Sequence, residues 1–137
     1  MSDYPKTVAE ILDAGRTYRP AVLRAMKAFR RGKPWRGTLR EQLWKLQEAA
    51  NALAKAYGIA PPVVFPSWNY PAHYDRLTNF IVLQPNLSVV TFLHEFAHAA
   101  FGRSERQAVG WSVNLFRRIF PRSYARLRHE GHMLFKP

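Results

Sequence analysis

Residues 89–101 carry apolar side chains at nearly every position. Val89, Val90, Phe92, Leu93, Phe96, Ala97, Ala99, Ala100 and Phe101 surround its few polar residues on nearly every side, which predicts a helix buried all round. Pro85, Asn86, Leu87 and Ser88 offer a turn and caps before it, and Gly102 is expected to end it as a left-handed residue. Other stretches are amphipathic. Thr7 and Glu10 have capping-box spacing and open a short helix with Val8, Ile11 and Leu12 on one stripe, closed by Gly15. Pro20 suits a first helical position, Val22, Met26 and Phe29 share a face, and Gly32 follows the last turn. Thr38 and Glu41 open the longest helix, whose Leu39, Leu43, Leu46, Ala50, Leu53 and Tyr57 form one seam ended by Gly58.

At Ile59 the texture changes. Residues 61–66 predict a short extended strand bounded by prolines, 67–71 a loop, and 78–84 the strongest strand of the chain. Ser104 and Gln107 open a further helix with Ala108, Trp111, Leu115 and Ile119 facing inward and Pro121 just beyond, and residues 123–132 suggest a short helix and a turn. Trp35 and Trp44 are expected in the core or at its edge. The pattern predicts an α+β fold: helices around a small, mostly antiparallel sheet packed on the apolar helix of residues 89–101. We expect one domain over residues 1–137, with a helical part at 1–58, the strands and two further helices at 59–121, and a tail at 122–137.

The polar residues of the apolar helix change this picture. His94, Glu95 and His98 form the pattern H-E-x-x-H, and four-residue spacing on a helix stacks two imidazoles one turn apart on one face. Two ligands from one rigid element, with an open position left for water, suit a tetrahedral zinc ion, and the adjacent carboxylate is then placed to take the proton from that water. The competing reading makes both histidines ordinary core residues and turns Glu95 outward. With no cysteine in the chain, imidazole and carboxylate are the metal ligands left to consider. Glu105, seven residues past His98 and on the inward face of its helix, is the expected third ligand for one zinc ion. His129 and His132 compete for that position, and a first-turn carboxylate serving the helix dipole is the alternative for Glu105.

From about residue 57 to 121 the chain resembles the zincin metallopeptidases, and among them small gluzincin-like ones. The matching pieces are residues 62–65, Tyr74 in a loop, residues 80–84, His94 to His98, and Glu105. The resemblance implies a zincin-like fold and peptide-bond hydrolysis in a peptide or protein, with Glu95 as general base. It also implies that the strand at 80–84 is an edge on which an extended substrate docks. The interval from His98 to Glu105 is shorter than in many gluzincins, and Gly102 is one residue later than the metzincin turn requires. For the group that polarises the substrate carbonyl, Tyr70, Tyr74, Tyr124, His129 and His132 all stay open.

Composition adds two limits and one alternative. Among 137 residues, 47% are hydrophobic and 14% aromatic, enough for one sizeable core and too much for a disordered chain. No run approaches the ~18 to 20 apolar residues of a membrane span, and residues 1–6 have no signal-peptide core, so a cytoplasmic location without membrane contact is expected. The net charge is +12: residues 1–58 hold 12 basic and 5 acidic groups and 99–137 hold 8 and 2, whereas 59–98 hold 1 and 2. Basic flanks around a nearly neutral centre raise a second possibility, a nucleic-acid-associated protein on a zincin-like frame, either a peptidase recruited to DNA or an inactive binder.

Overall fold

A computed structural model describes residues 3–136. The helical part contains α1 (Val8–Ile11), α2 (Pro20–Arg31) and α3 (Leu39–Tyr57). Pro20 occupies the first turn of α2, whose Val22, Met26 and Phe29 are buried as the periodicity requires. At α3 the Thr38 hydroxyl accepts from Glu41 N–H and the Glu41 carboxylate reaches back to Thr38 N–H, a full capping box. Gly58 ends that helix at φ 66°, ψ 34°, a left-handed position that favours glycine. The first helix is shorter than expected. It stops at Ile11 with Leu12 extended, and Gly15 instead closes an Asx turn by donating to Asp13 Oδ1.

Three strands follow. They are β1 (Val63–Pro66), β2 (His73–Asp75) and β3 (Phe80–Leu83), in the order β1-β3-β2. β3 pairs parallel with β1, Val63 opposite Phe80, and antiparallel with β2, Tyr74 opposite Ile81. The sheet is therefore mixed, and Tyr74 lies in a strand rather than a loop. Residues 80–83 form its centre with both edges occupied. An incoming strand cannot pair there, which corrects the expectation of a substrate-binding edge at 80–84; the edge beside the buried helix is β2. β1 is covered on its far side by α3, where Gln47 accepts from Val64 N–H and donates to the Pro62 carbonyl.

The core lies where α4 (Val89–Phe101) and α5 (Glu105–Ile119) pack against one another, the sheet and α3. Every residue of α4 is buried or half-buried. Phe96 stacks on Trp111 of α5 at 5.8 Å, and Trp111 donates its indole N–H to the Tyr57 hydroxyl at 3.0 Å. Aromatic contacts of this kind contribute about 0.5–1.5 kcal/mol each beyond the area they bury, and here they fix how α4 is turned. The chain continues as α6 (Pro121–Ala125) and a hairpin of β4 (Arg128–Glu130) and β5 (Met133–Phe135), so the predicted terminal turn joins two strands. Trp35 and Trp44 are 58% and 64% exposed, contrary to the core placement expected: α3 turns its seam inward and leaves Trp44 on the far side. No helix among the described residues is long and apolar enough to cross a membrane.

One buried polar residue ties the N-terminal segment to this core. Asn114 of α5 donates to the Ile11 carbonyl at 2.8 Å and accepts from Asp13 N–H at 2.9 Å. Replacing it by leucine leaves both backbone groups without that partner, so Asn114→Leu is expected to cost about 2 kcal/mol. Urea denaturation of both proteins checks this; an unchanged midpoint means that water replaces the amide.

Candidate metal centre

Ser88 caps α4 by accepting from Thr91 N–H, so the helix is in register well before His94. At the other end Gly102 adopts φ 99°, ψ −153°, a conformation essentially restricted to glycine and different from the left-handed cap expected. Its carbonyl thereby faces back and accepts from His98 Nδ1 at 2.8 Å. A carbonyl only accepts, so Nδ1 carries a proton and the neutral ring presents the lone pair of Nε2 on its opposite side. Second partners of this kind orient metal-binding histidines.

The two Nε2 atoms of His94 and His98 stand 3.2 Å apart. Glu105 Oε1 lies 3.2 Å from His94 Nε2 and 2.5 Å from His98 Nε2. Donors bound at about 2.0–2.1 Å in a tetrahedron are separated by about 3.3–3.4 Å. Two of the three separations agree with that edge, and the third is a close carboxylate–imidazole contact. Ligand atoms of His94, Glu95 and His98 also lie within 4.8 Å of one another, the H-E-x-x-H zinc-binding arrangement typical of gluzincin peptidases. The chemistry of this donor set, two imidazoles and a carboxylate from two rigid helices, fits zinc.

Burial holds His94 below the usual histidine range, with the neighbouring His98 adding to the effect and Glu105 opposing it. Glu95 is 8% exposed. Burial raises its carboxyl to about 7, against the opposing influence of His98, and the Tyr74 backbone N–H bonds to it from β2. Two cavities of about 340 and 370 Å³ meet here; His94, Glu95 and Ala72 line both, Ser112 and His132 the first, and His98 and Glu105 the second.

The other residues singled out in the sequence separate. His132 lines the first cavity, whereas His129 is engaged by the Tyr124 hydroxyl at 2.6 Å. Tyr74 lines the second cavity but donates its hydroxyl to Asn79 at 2.7 Å, and Tyr70 is largely exposed. Two neighbours of the site went unrecognised in the sequence. His73 acts electrostatically on Glu95. Tyr4 lines both cavities, bonds to Glu105, and has its phenol held well above the usual range by burial and by the Glu105 and Glu95 carboxylates. No periodicity or spacing connects position 4 with positions 94 to 105; only the lone aromatic in a polar N-terminal segment marked it.

No family model, curated protein or solved structure matches the chain. What places it is internal to the molecule. The mixed α+β architecture, with a small sheet packed against the helix that bears His94, Glu95 and His98, is zincin-like, and the clustered motif supports a zinc-metallopeptidase-like active site.

The raised carboxyl gives a pH signature. Glu95 has a folded value near 7 against 4.5 for the free group, so the folded chain binds the extra proton between those values and loses that stabilisation as pH rises through 7. Glu95→Gln escapes the loss. In chelator, the stability of Glu95→Gln relative to wild type is expected to rise by up to about 3 kcal/mol between pH 4.5 and pH 8. Urea denaturation across that range measures it, and a flat difference contradicts the burial argument.

Proposed function

We propose that this protein is a zinc-dependent peptidase of gluzincin type, in which His94, His98 and Glu105 hold one zinc ion and Glu95 is the general base. The observation that supports this most is the convergence of His94 Nε2, His98 Nε2 and Glu105 Oε1 beside a buried carboxylate that is not part of that triangle. Zinc at such a centre supplies a Lewis acid that polarises a carbonyl and lowers the pKa of water.

The chain's own residues account for the remaining steps. Glu95, with the Tyr74 N–H beside it, removes a proton from the attacking water. It then delivers that proton to the nitrogen of the breaking peptide bond, so the amine leaves neutral. A carboxyl raised to about 7 is matched to both transfers near neutral pH. The substrate is a peptide or a segment of a protein, lying along the two joined cavities. A cytoplasmic setting accompanies this reading, consistent with a chain that contains no cysteine.

Elemental analysis of protein purified without added metal is expected to give about one zinc per chain, with a clear loss in Glu105→Ala. Against a peptide library, Glu95→Gln is expected to keep its zinc and to cleave at least ~100-fold more slowly. Equal cleavage by the two proteins removes Glu95 as the base, and zinc retained by Glu105→Ala moves the third ligand elsewhere.

A second reading has its own observation. Between Asp13 and Glu41 the chain has nine basic residues and no acidic one. Arg24, Lys27, Arg31 and Arg36 are exposed there together with Trp35, and Trp44 is exposed on the adjoining helix. Cations interleaved with aromatic rings suit single-stranded nucleic acid, as a recruiting surface for the peptidase or as the function of an inactive frame. Retention on single-stranded DNA should then fall steeply with salt, persist in Glu95→Gln, and weaken in the double variant Lys27→Glu, Arg31→Glu. Elution of that variant at the wild-type salt concentration rejects the surface.

A further inference from the structure

The segment containing Asp3 and Tyr4 is bound to the first turn of α5, the turn that carries Glu105. Asp3 Oδ1 accepts from Glu105 N–H at 2.7 Å, and Asp3 Oδ2 accepts from the Ser104 hydroxyl at 2.7 Å. A carboxylate on the first N–H groups of a helix is favoured by the unsatisfied donors and the dipole there. The next residue, Tyr4, hydrogen-bonds through its side chain to the Glu105 carboxylate. Its ring is stacked on His132 at 3.8 Å and 22°, and lies nearly parallel to His94 at 6.4 Å and 11°. Both the backbone and the side chain of Glu105 are therefore held by two consecutive residues about a hundred positions away.

Glu105 needs such support. A glutamate has three rotatable side-chain bonds, and this one, half-buried in the lining of the second cavity, has other orientations open to it. Outer partners that fix a ligand's orientation are worth roughly 10–100-fold in metal affinity.

We propose that Tyr4 is a positioning residue for the metal centre: its hydroxyl donates to Glu105 and holds that carboxylate facing the His94 and His98 imidazoles, while Asp3 and His132 hold Tyr4 in place. The proposal rests on the zinc reading of the site. Tyr4 touches the ligand and takes no part in the chemical step. Substituting phenylalanine keeps the stack on His132 and removes only the hydroxyl.

The test is metal affinity of the full chain, with Zn²⁺ titrated against a chromogenic chelator for wild type, Tyr4→Phe and Asp3→Ala. Co²⁺ absorption serves as the spectroscopic readout, and thermal unfolding in chelator as the control for folding. Tyr4→Phe is expected to bind zinc about 10-fold more weakly and to alter the Co²⁺ spectrum, while still unfolding in a single transition in chelator. Asp3→Ala is expected to weaken zinc binding in the same direction. Wild-type affinity and spectrum in Tyr4→Phe overturn the proposal and leave the zinc centre standing. Failure of wild type itself to bind zinc or cobalt removes the centre and the proposal with it, so the two failures are distinct.

Discussion

The structure depends on how three ionisable side chains are accommodated on an otherwise largely apolar helix. Burying polar groups without partners costs several kcal/mol each, and α4 carries a buried carboxylate and two half-buried imidazoles beside Phe92, Leu93 and Phe96. Each group is answered by a different part of the chain. His98 is answered by the Gly102 carbonyl and Glu95 by the Tyr74 N–H, while the Glu105 carboxylate converges with both imidazole Nε2 atoms. Turning α4 by one residue rotates every side chain by about 100° and breaks all of these at once. The aromatic packing of Phe96 on Trp111 is thus also what aims the histidines.

Helix α5 supplies the fixed side of the site. Ten of its residues are buried, and it is held from both ends. Arg30 donates to the Ile119 carbonyl at its C-terminus, Asn114 anchors α1 near its middle, and Ser104 with Asp3 caps its start. Only residues 102–104 separate α4 from α5, and the unusual backbone of Gly102 makes so short a reversal feasible while aiming its carbonyl at His98. One turn therefore performs two tasks. It brings Glu105 back beside the imidazoles one helical turn after leaving them, and it sets the tautomer of one of them.

What the sequence disclosed follows from how local its causes were. The caps at Thr38, Ser88 and Ser104, the proline at the start of α2, the inward faces of α2 and α3, and the H-E-x-x-H helix all rest on interactions within four residues, and all are present. Glu105 beside the histidines was also legible, because helical periodicity put it on the inward face of the next helix. Strand order was not. Placing β3 at the centre requires β1, some 17 residues upstream, to align parallel with it, and nothing in residues 80–83 distinguishes a central from an edge strand. Trp35 and Trp44 misled because large aromatics are usually buried, whereas the α3 seam was already filled by Leu46, Ala50 and Leu53. Tyr4 and His132 meet only in three dimensions.

The sheet constrains how a peptidase built this way could hold its substrate. β2 offers an outer edge of only three residues, and of these Tyr74 already gives its N–H to Glu95. Extended pairing along that edge, a major source of affinity where a longer strand is available, is confined here to the few backbone groups around it. For a peptide substrate, binding would then come mainly from side chains entering the two cavities that His94 and Glu95 line. Each of these, at about 340 and 370 Å³, lies near the lower end of the range for ligand pockets. Tyr4, stacked on His132, lines both, so a peptide spanning them would pass the ring proposed to position Glu105. On the zinc-peptidase reading, substrate selection and the integrity of the metal centre would be coupled through a single side chain.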